Sequence, residues 1–354
     1  MLPLDETGTA MPFSNPDGEH FEFAREIPRH EQARRTTDVL RLRNRAAVVG
    51  LWNGREELRA GLNAPQAWIP SKYFYDSLGS QLFDVITHLP EYYPTRAEAA
   101  IFSRHIGDIA RAVGSGRNLI DLGAGNCEKA ARLFDALKPA RYTAVDISAD
   151  YVETALTRLR QRFPDVGMTA LGMDMSAGLS LPDSIPGARR LFFYPGSSIG
   201  NFAPADAAGF LSDLRRQCEQ QGGLLIGVDL IKDKAILDAA YDDALGVTAA
   251  FNLNVLNNVN SALGSDFDVR DWRHCGFYNK GLSRAEMHLE TRMAVDVRWP
   301  GGSRRFEPGE RIHTENSYKY SLEEFGALLR RAGFQSVTAW TDQRDWFALF
   351  YATA

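Results

Sequence analysis

The sequence predicts an α/β fold built on a mostly parallel β-sheet with helices on both faces. Two observations predict it. Between residues 118 and 229, short apolar runs alternate with amphipathic stretches of helical period, which is the pattern of repeated strand–helix–strand units. The first apolar run also ends in a glycine-containing loop, Asp121-Leu-Gly-Ala-Gly125, directly before a helical stretch. A tight turn of this kind between strand and helix is typical of such sheets.

The composition limits the class of protein. The 354 residues carry a formal charge of −5, so no broad basic surface for nucleic acid is expected. No apolar run approaches the roughly 18 residues that span a bilayer, and the polar, acidic N-terminus lacks the apolar region of a secretory signal. The widely spaced Cys127, Cys218 and Cys275 fit free thiols better than disulfides or zinc ligands. We therefore expect a cytoplasmic protein that binds neither nucleic acid nor membrane. A monomer is expected as well, although composition does not determine the oligomeric state.

The N-terminal third is predicted to be helical after an irregular start. Residues 1–40 are rich in charge, proline, glycine and threonine, which predicts an irregular extension. Helical periodicity runs from about 40 to 115 and includes the tyrosine-rich segment KYFYDSLGSQLFDVITHLPEYYPTR. Within it, Thr95 is expected to cap an amphipathic helix, TRAEAAIFSRHIGDIARAV.

Five strands and three helices are predicted next. The strands are NLIDLGAGN, RYTAVDIS, GMTALGMDM, RRLFFYPGSSIGNF and GGLLIGVDLI, and the helices are CEKAARLFDALK, ADYVETALTRLRQRF and residues 205–218. After Asp229 the rhythm breaks into asparagine-rich helices and one period-2 strand, HLETRMAVDVRW. A helix that stops at Gly333 and two final strands follow. The simplest architecture is an α/β core that is interrupted by an insertion and completed by the C-terminal segment.

The glycine loop predicts a nucleoside cofactor. Gly123 and Gly125 let the backbone approach a ligand, and the following helix N-terminus favours an anionic group. Asp146 ends the next strand, 21 residues after Gly125, where a carboxylate can bind both ribose hydroxyls. A dinucleotide fingerprint would need glycine at position 128. Because Glu128 stands there, a pyrophosphate would be repelled, and a nicotinamide-dependent oxidoreductase is disfavoured.

Longer strings of the sequence point to one family. The D-x-G-x-G form of the loop resembles the first motif of class I S-adenosylmethionine-dependent methyltransferases. The strings KYFYDSLGSQLFDVITHLPEYYPTR, DLGAGNCEKAARLF, FFYPGSSIGNF, YDDALGVTAAFNLNVLNNVN and HTENSYKYS occur together. From about residue 40 to the C-terminus the chain thus resembles the histidine-specific Nα-methyltransferases of ergothioneine biosynthesis, which convert L-histidine to its trimethyl betaine, hercynine, with three S-adenosylmethionines.

The resemblance implies an architecture and a set of site residues. It implies a class I, Rossmann-like methyltransferase core at 97–230 and 321–354, and a substrate-binding domain at 41–96 and 231–320. The implied cofactor positions are Gly123, Gly125, Lys129, Asp146, Asp174 (where this class usually holds the adenine amino group) and Met175. The implied histidine site comprises Tyr92, Asn201, Tyr241, Met287, Glu315 and Ser317, with Tyr75 and Asn201 as the catalytic residues.

The chemistry of these residue types suits an α-amino acid. Methyl transfer from a sulfonium releases a neutral leaving group, so the protein must mainly position a neutral amine in a water-poor site. The Asn201 amide can hold the amine and the carboxylate, and the Tyr75 hydroxyl could accept from the amine or relay its proton. Tyr92 and Tyr241 offer hydroxyls to the carboxylate, for which the sequence shows no obvious charged partner. Either Tyr92 or Tyr93 could be the pocket tyrosine.

The ring of the substrate is expected at Glu315 and Ser317. In an extended segment these residues, two apart, project to the same face, and a carboxylate beside a hydroxyl suits the two nitrogens of an imidazole. Together with Met287 they argue against another aromatic amino acid, such as tryptophan or tyrosine, as substrate. A non-catalytic cofactor-binding module is the other alternative. None of the seven histidines shows metal-ligand spacing, so no metal is expected.

Overall fold

The computed structural model describes residues 45–175, 178–219 and 221–354. Its first half contains α1 (Arg45–Asn63), a 3₁₀ turn (Ser71–Phe74), α2 (Ser77–Ile86), α3 (Pro94–Val113), β1 (Asn118–Leu122), α4 (Glu128–Ala131), α5 (Phe134–Leu137), β2 (Arg141–Asp146), α6 (Ala149–Arg162), β3 (Gly167–Gly172) and β4 (Arg190–Tyr194). The predicted extension at 1–40 lies outside the described residues.

A second 3₁₀ turn and the remaining elements follow β4. They are the turn Ser198–Asn201, α7 (Pro204–Gln217), β5 (Gly223–Asp229), α8 (Lys234–Tyr241), α9 (Val247–Leu263), a short 3₁₀ turn (Val269–Asp271), β6 (Trp272–Asn279), β7 (Arg284–Thr291), β8 (Val295–Trp299), β9 (Gly302–Phe306), β10 (Arg311–Tyr318), α10 (Leu322–Arg331), β11 (Val337–Thr341) and β12 (Phe347–Thr353). Within the described ranges, every helix is too short or too polar to cross a bilayer.

The largest sheet has seven strands in the order β11-β12-β5-β4-β1-β2-β3. Strands β1 to β5 pair with one another in parallel, whereas β12 runs antiparallel to both β5 and β11. Neighbouring residues of one strand belong to different cores: Leu119 packs in the cluster that contains residues of α3 and α6, and Ile120 in the cluster that contains residues of α7 and α10. The predicted α/β fold with helices on both faces is confirmed.

A smaller antiparallel sheet, β10-β7-β6, lies in the segment between β5 and α10. Helix α9 packs against it through buried asparagines. The Asn252 amide nitrogen donates to the carbonyl oxygen of His288 at 3.0 Å, and its oxygen accepts from the Thr314 hydroxyl at 2.8 Å. Asn254 donates to the Asp76 carboxylate at 2.9 Å. The asparagine-rich helix therefore connects this sheet to the tyrosine-rich segment around Tyr75.

Three local predictions differ from the structure. The predicted helix 127–138 is two short helices, α4 and α5, because the Leu133 amide bonds to Ala130, three residues back, and tightens the chain there. The predicted strand 288–299 ends at Thr291, and Val295–Trp299 pairs separately with β9. Thr95 does not cap α3, which begins with Pro94 at its first turn. The predicted stop of α10 is confirmed, since Gly333 has φ +98°.

Candidate active site

The glycine loop is fixed to the carboxyl end of β2. Gly123 and Gly125 have φ of +72° and +51°, which only glycine adopts freely. The Gly123 amide donates to the Val145 carbonyl at 2.8 Å, so the loop closes over the next strand. The Asp146 carboxylate accepts from the amides of Gly125 and Ser148, each at 3.0 Å. These two bonds fix the half-buried carboxylate at the edge of the sheet. Each of its oxygens still has a lone pair that can accept a hydrogen bond from a ligand.

A cavity opens at the same edge beside the ends of β2 and β3. It has a volume of about 350 Å³, and its lining includes Ser148, Asp174, Lys72 and Tyr75. The Lys72 ammonium bridges two carboxylates, at 3.2 Å from Asp174 and 2.8 Å from Glu57. Met175 lies against Gly123, where its methyl carbon is 3.9 Å from the position of an added Cβ. The predicted cofactor residues after β1, β2 and β3 are therefore neighbours.

Lys129, another of the predicted cofactor residues, forms an ion pair. Its ammonium lies 2.8 Å from the buried carboxylate of Glu98 on α3. The other oxygen of Glu98 accepts from the Gly196 amide at 2.8 Å. Glu98 therefore joins α3, α4 and the loop after β4. Sequence reasoning missed Glu98, although its place on the apolar stripe with Ile101 and Phe102 could have identified it.

The predicted histidine-binding residues form a second group beside this edge. Tyr75 and Tyr92 pack against Phe83, with ring centroids 5.8 and 6.1 Å away. Burial raises the pKa of both tyrosines, and Glu315 and Tyr241 are close enough to raise it further. Within the described ranges, the hydroxyls of Tyr75 and Tyr92 have no hydrogen-bond partner. They are thus available to a ligand.

Strand β10 supplies the carboxylate and one hydroxyl of this group. Glu315 faces Met287 across the antiparallel pair with β7. Burial raises the pKa of the Glu315 carboxyl to about 7, and the positive charge of Lys319 only partly opposes that effect. Ser317 follows two residues later and is buried. The segment is extended, as the sequence argument for Glu315 and Ser317 required.

Behind these side chains lies a buried ion-pair network that sequence reasoning missed. Lys319 is 2% exposed, and its ammonium donates to the Tyr241 hydroxyl, the Ser317 hydroxyl and the Asp229 carboxylate, each at 2.8 Å. Asp229 ends β5 and also binds Lys232 at 2.6 Å. Burial opposes the ionisation of Asp229, but the two lysines outweigh it and lower the pKa of its carboxyl. Burial lowers the pKa of Lys232 to about 8.

The same network separates the two adjacent tyrosines. The Tyr93 hydroxyl donates to Asp229 at 2.7 Å and accepts from the Lys232 ammonium at 2.7 Å. The Tyr93 hydroxyl therefore uses its proton and one lone pair for bonds within the protein. The Tyr92 hydroxyl has no such bond among the described residues, and burial together with the nearby Tyr241, Tyr75 and Glu315 raises its pKa. Of the two candidates, the geometry favours Tyr92 as the ligand-facing residue.

Asn201 ends the 3₁₀ turn that follows β4, and this turn packs closely on β10. A Cβ added to Gly200 would lie 2.8 Å from the Tyr318 carbonyl oxygen and 3.2 Å from the Ser317 hydroxyl. Glycine is needed at position 200 for that approach. The Asn201 side chain is half-buried, and among the described residues its amide has no hydrogen-bond partner. It lies at the carboxyl edge of the sheet, where ligands bind in parallel α/β folds.

Among the described residues, no three His, Cys, Asp or Glu side chains cluster closely enough to hold a metal ion. The loop and the tyrosine group can instead hold organic ligands. The loop offers a carboxylate and backbone positions without side chains, which suit a nucleoside. The tyrosine group offers hydroxyls, an amide and one carboxylate whose pKa is about 7. Two ligands could therefore bind side by side at one edge of the sheet.

Comparison with known proteins agrees with this arrangement. Residues 54–354 match the model of the family described as "Histidine-specific methyltransferase, SAM-dependent". The chain is 41% identical to the histidine N-alpha-methyltransferase of Mycolicibacterium smegmatis and 39% identical to that of Mycobacterium tuberculosis, covering 84% of this chain and 94% of each relative. It is 32% identical to ergothioneine biosynthesis protein 1 of Neurospora crassa over 88% of this chain and 36% of that protein. The chain belongs to the family of histidine-specific, S-adenosylmethionine-dependent methyltransferases.

Proposed function

We propose that this enzyme methylates the α-amino nitrogen of L-histidine, in three rounds that give hercynine for ergothioneine biosynthesis. The observation that carries the proposal is that Glu315 and Ser317 lie two residues apart on β10, beside the group of Tyr75, Tyr92 and Tyr241. In support, the two mycobacterial relatives are named histidine N-alpha-methyltransferases, and the Neurospora crassa relative is named ergothioneine biosynthesis protein 1.

The glycine loop and its neighbours would hold S-adenosylmethionine. Gly123 and Gly125 admit the ligand close to the backbone, and Asp146 would accept from the ribose hydroxyls. Asp174 and Met175 would bind the adenine. Lys129 would contact the cofactor while it stays paired with Glu98. When bound, the sulfonium supplies a methyl group whose loss to a nitrogen lone pair leaves a neutral thioether.

The α-amino acid end of the substrate would be held by Asn201, Tyr241, Tyr92 and Tyr75. The free Asn201 amide can accept from the amine and donate to the carboxylate. Tyr241 and Tyr92 would donate their hydroxyl protons to the carboxylate. Because burial raises the pKa of Tyr75, its phenol stays neutral near pH 7. The Tyr75 oxygen would accept a hydrogen bond from the amine and so orient it, and the neutral phenol would not act as a strong base.

The imidazole would lie against β10. The Glu315 carboxylate would accept from the ring N–H, Ser317 would contact the other nitrogen, and Met287 would pack on the ring from β7. A site of this kind rejects rings without those groups, because its own buried polar atoms would be left unpaired.

The proposed domain boundaries do not divide any of the three sheets. We propose a methyltransferase domain at 97–230 and 321–354 and a substrate-binding domain at 41–96 and 231–320. In support, β1–β5, β11 and β12 fall in the first set of ranges, and β6–β10 in the second. The cytoplasmic location and the monomeric state stay predictions, and light scattering of the purified protein tests the second.

The test is to incubate the purified protein with S-adenosylmethionine and each of the twenty amino acids, followed by mass spectrometry. We expect a gain of three methyl groups on histidine alone. Asn201→Ala is the matched control: it should keep its affinity for S-adenosylhomocysteine and lose histidine turnover. Methylation of tryptophan or tyrosine in place of histidine would contradict the proposal, as would a wild-type protein that binds the cofactor and methylates nothing.

A further inference from the structure

Lys319 contacts two of the hydroxyls that we propose to bind the substrate, those of Tyr241 and Ser317. An ammonium has three protons and no lone pair, so it can only donate. All three protons of Lys319 have an acceptor within 2.8 Å: the oxygens of Tyr241, Ser317 and Asp229. Each of these oxygens therefore accepts a hydrogen bond from Lys319, because the ammonium has no lone pair with which to accept one in return.

This arrangement determines where the two hydroxyl protons can go. A hydroxyl has one proton and two lone pairs. Since Tyr241 and Ser317 each use a lone pair for Lys319, their own protons must point elsewhere. Among the described residues, neither proton has an acceptor. Both hydroxyls are therefore donors towards the side of the site that receives the substrate.

Lys319 cannot easily leave this position. It is 2% exposed, and Asp229 holds its third proton. Asp229 is in turn fixed by Lys232 and by the Tyr93 hydroxyl, and its backbone amide donates to the Ser197 hydroxyl at 2.9 Å. Burial favours a neutral lysine, but the Asp229 charge outweighs it, so the pKa of Lys319 stays above its usual value. The ammonium therefore stays protonated near neutral pH.

We propose that Lys319 is a positioning residue that forces Tyr241 and Ser317 to act as hydrogen-bond donors to the substrate. The inference rests on the proposed function. Tyr241 then offers its proton, strengthened by the ammonium behind it, to the α-carboxylate. Ser317 offers its proton to the imidazole nitrogen that carries none, while Glu315 accepts from the nitrogen that carries one. Lys319 thus makes the site selective for a ring with one donor and one acceptor.

The experiment compares two ligands of similar size on the Lys319→Met variant, which keeps the length of the side chain without its protons. The ligands are L-histidine and 3-(2-thienyl)-L-alanine, whose ring has neither an N–H nor an acceptor nitrogen. Dissociation constants are measured by calorimetry with saturating S-adenosylhomocysteine. Without Lys319 the Ser317 proton is free to turn away, so we expect the preference for histidine to fall about tenfold, or about 1.4 kcal/mol.

Lys232→Met is the matched control, because Lys232 binds the same carboxylate of Asp229 but touches neither Tyr241 nor Ser317. It should lower thermal stability and leave the ligand preference unchanged. A double-mutant cycle adds the second requirement: in a Ser317→Ala background, Lys319→Met should change the preference no further. If Lys319→Met does not fold, the double variant Asp229→Asn/Lys319→Met takes its place in the same measurements. It removes both charges of the pair, and Lys232, whose pKa burial lowers to about 8, can become neutral so that no unpaired charge is left in the interior.

Two results would overturn the inference. One is an unchanged preference in Lys319→Met with weaker binding of both ligands, which would make Lys319 a structural residue only. The other is an effect of Lys319→Met that is fully additive with that of Ser317→Ala. Methylation of histidine by the wild-type enzyme, measured in parallel, separates these results from a failure of the proposed function.

Discussion

Replacing Glu315 with glutamine should stabilise the protein and impair its use of histidine. In the folded chain, burial raises the pKa of Glu315 from 4.5 to about 7. At 1.36 kcal/mol per pH unit, the ionised carboxylate costs the folded state about 3 kcal/mol relative to the unfolded chain. Glutamine has the same shape and no charge, so it removes this cost.

The sign of the pH dependence follows from the direction of the pKa change. Below pH 4.5 the carboxyl is protonated in both states and costs nothing. Between pH 4.5 and 7 the unfolded chain ionises while the folded chain does not, so the cost grows, and above pH 7 it is complete. The stability advantage of Glu315→Gln should therefore increase by about 2.5 kcal/mol between pH 5 and pH 8.5.

Urea denaturation of both proteins at the two pH values measures this advantage. Glu323→Gln, on the exposed first turn of α10, is the control and should show no comparable increase. The affinity of Glu315→Gln for histidine should fall about tenfold at pH 8.5, because a charged hydrogen bond to the ring is lost. An advantage that does not change with pH would refute the raised pKa of the carboxyl at position 315.

Three further substitutions test the other parts of the site. Asp146→Asn should weaken S-adenosylhomocysteine binding at least tenfold in calorimetry and leave the fold intact, because it removes the charged partner of the ribose; unchanged binding would contradict the nucleoside assignment. Tyr92→Phe should raise the KM for histidine with little change in Tm, whereas Tyr93→Phe should cost about 1–3 kcal/mol of stability by removing a buried hydroxyl from the Asp229 network; the reverse pattern would exchange their roles. Gly200→Ala should lower kcat about a hundredfold in single-turnover assays, because its Cβ displaces the turn that ends at Asn201; normal turnover would show that this turn has room to move.

The cofactor side of the site could be predicted from the sequence because it is local. A strand, a glycine loop, a helix and an acid at the end of the next strand follow one another in the chain, and Asp146 lies where that order places it. The histidine side depended on a family resemblance, since Tyr75, Asn201 and Glu315 come from segments far apart in sequence. No periodicity relates them.

The residues that were missed are buried charges whose partners are distant in sequence. Lys319 and Asp229 pair across 90 positions of the chain, and each alone resembles an ordinary polar residue at the end of a strand. Glu98 was the more visible of the missed residues, since it interrupts the apolar stripe of α3. The break between α4 and α5 was missed because both pieces carry the same helical pattern, and only the hydrogen bond from Leu133 to Ala130 distinguishes them.

The place of β12 in the sheet limits the order in which the enzyme can fold during synthesis. β5 pairs along its whole length with β12, so residues 230–346, which contain the smaller sheet, must leave the ribosome before the larger sheet can close. Until then β5 is paired with β4 on one side only, and its other side is an open sheet edge that is prone to pair with other chains. The insertion that supplies Tyr241 and Glu315 thus prolongs the time for which the nascent core has an open sheet edge.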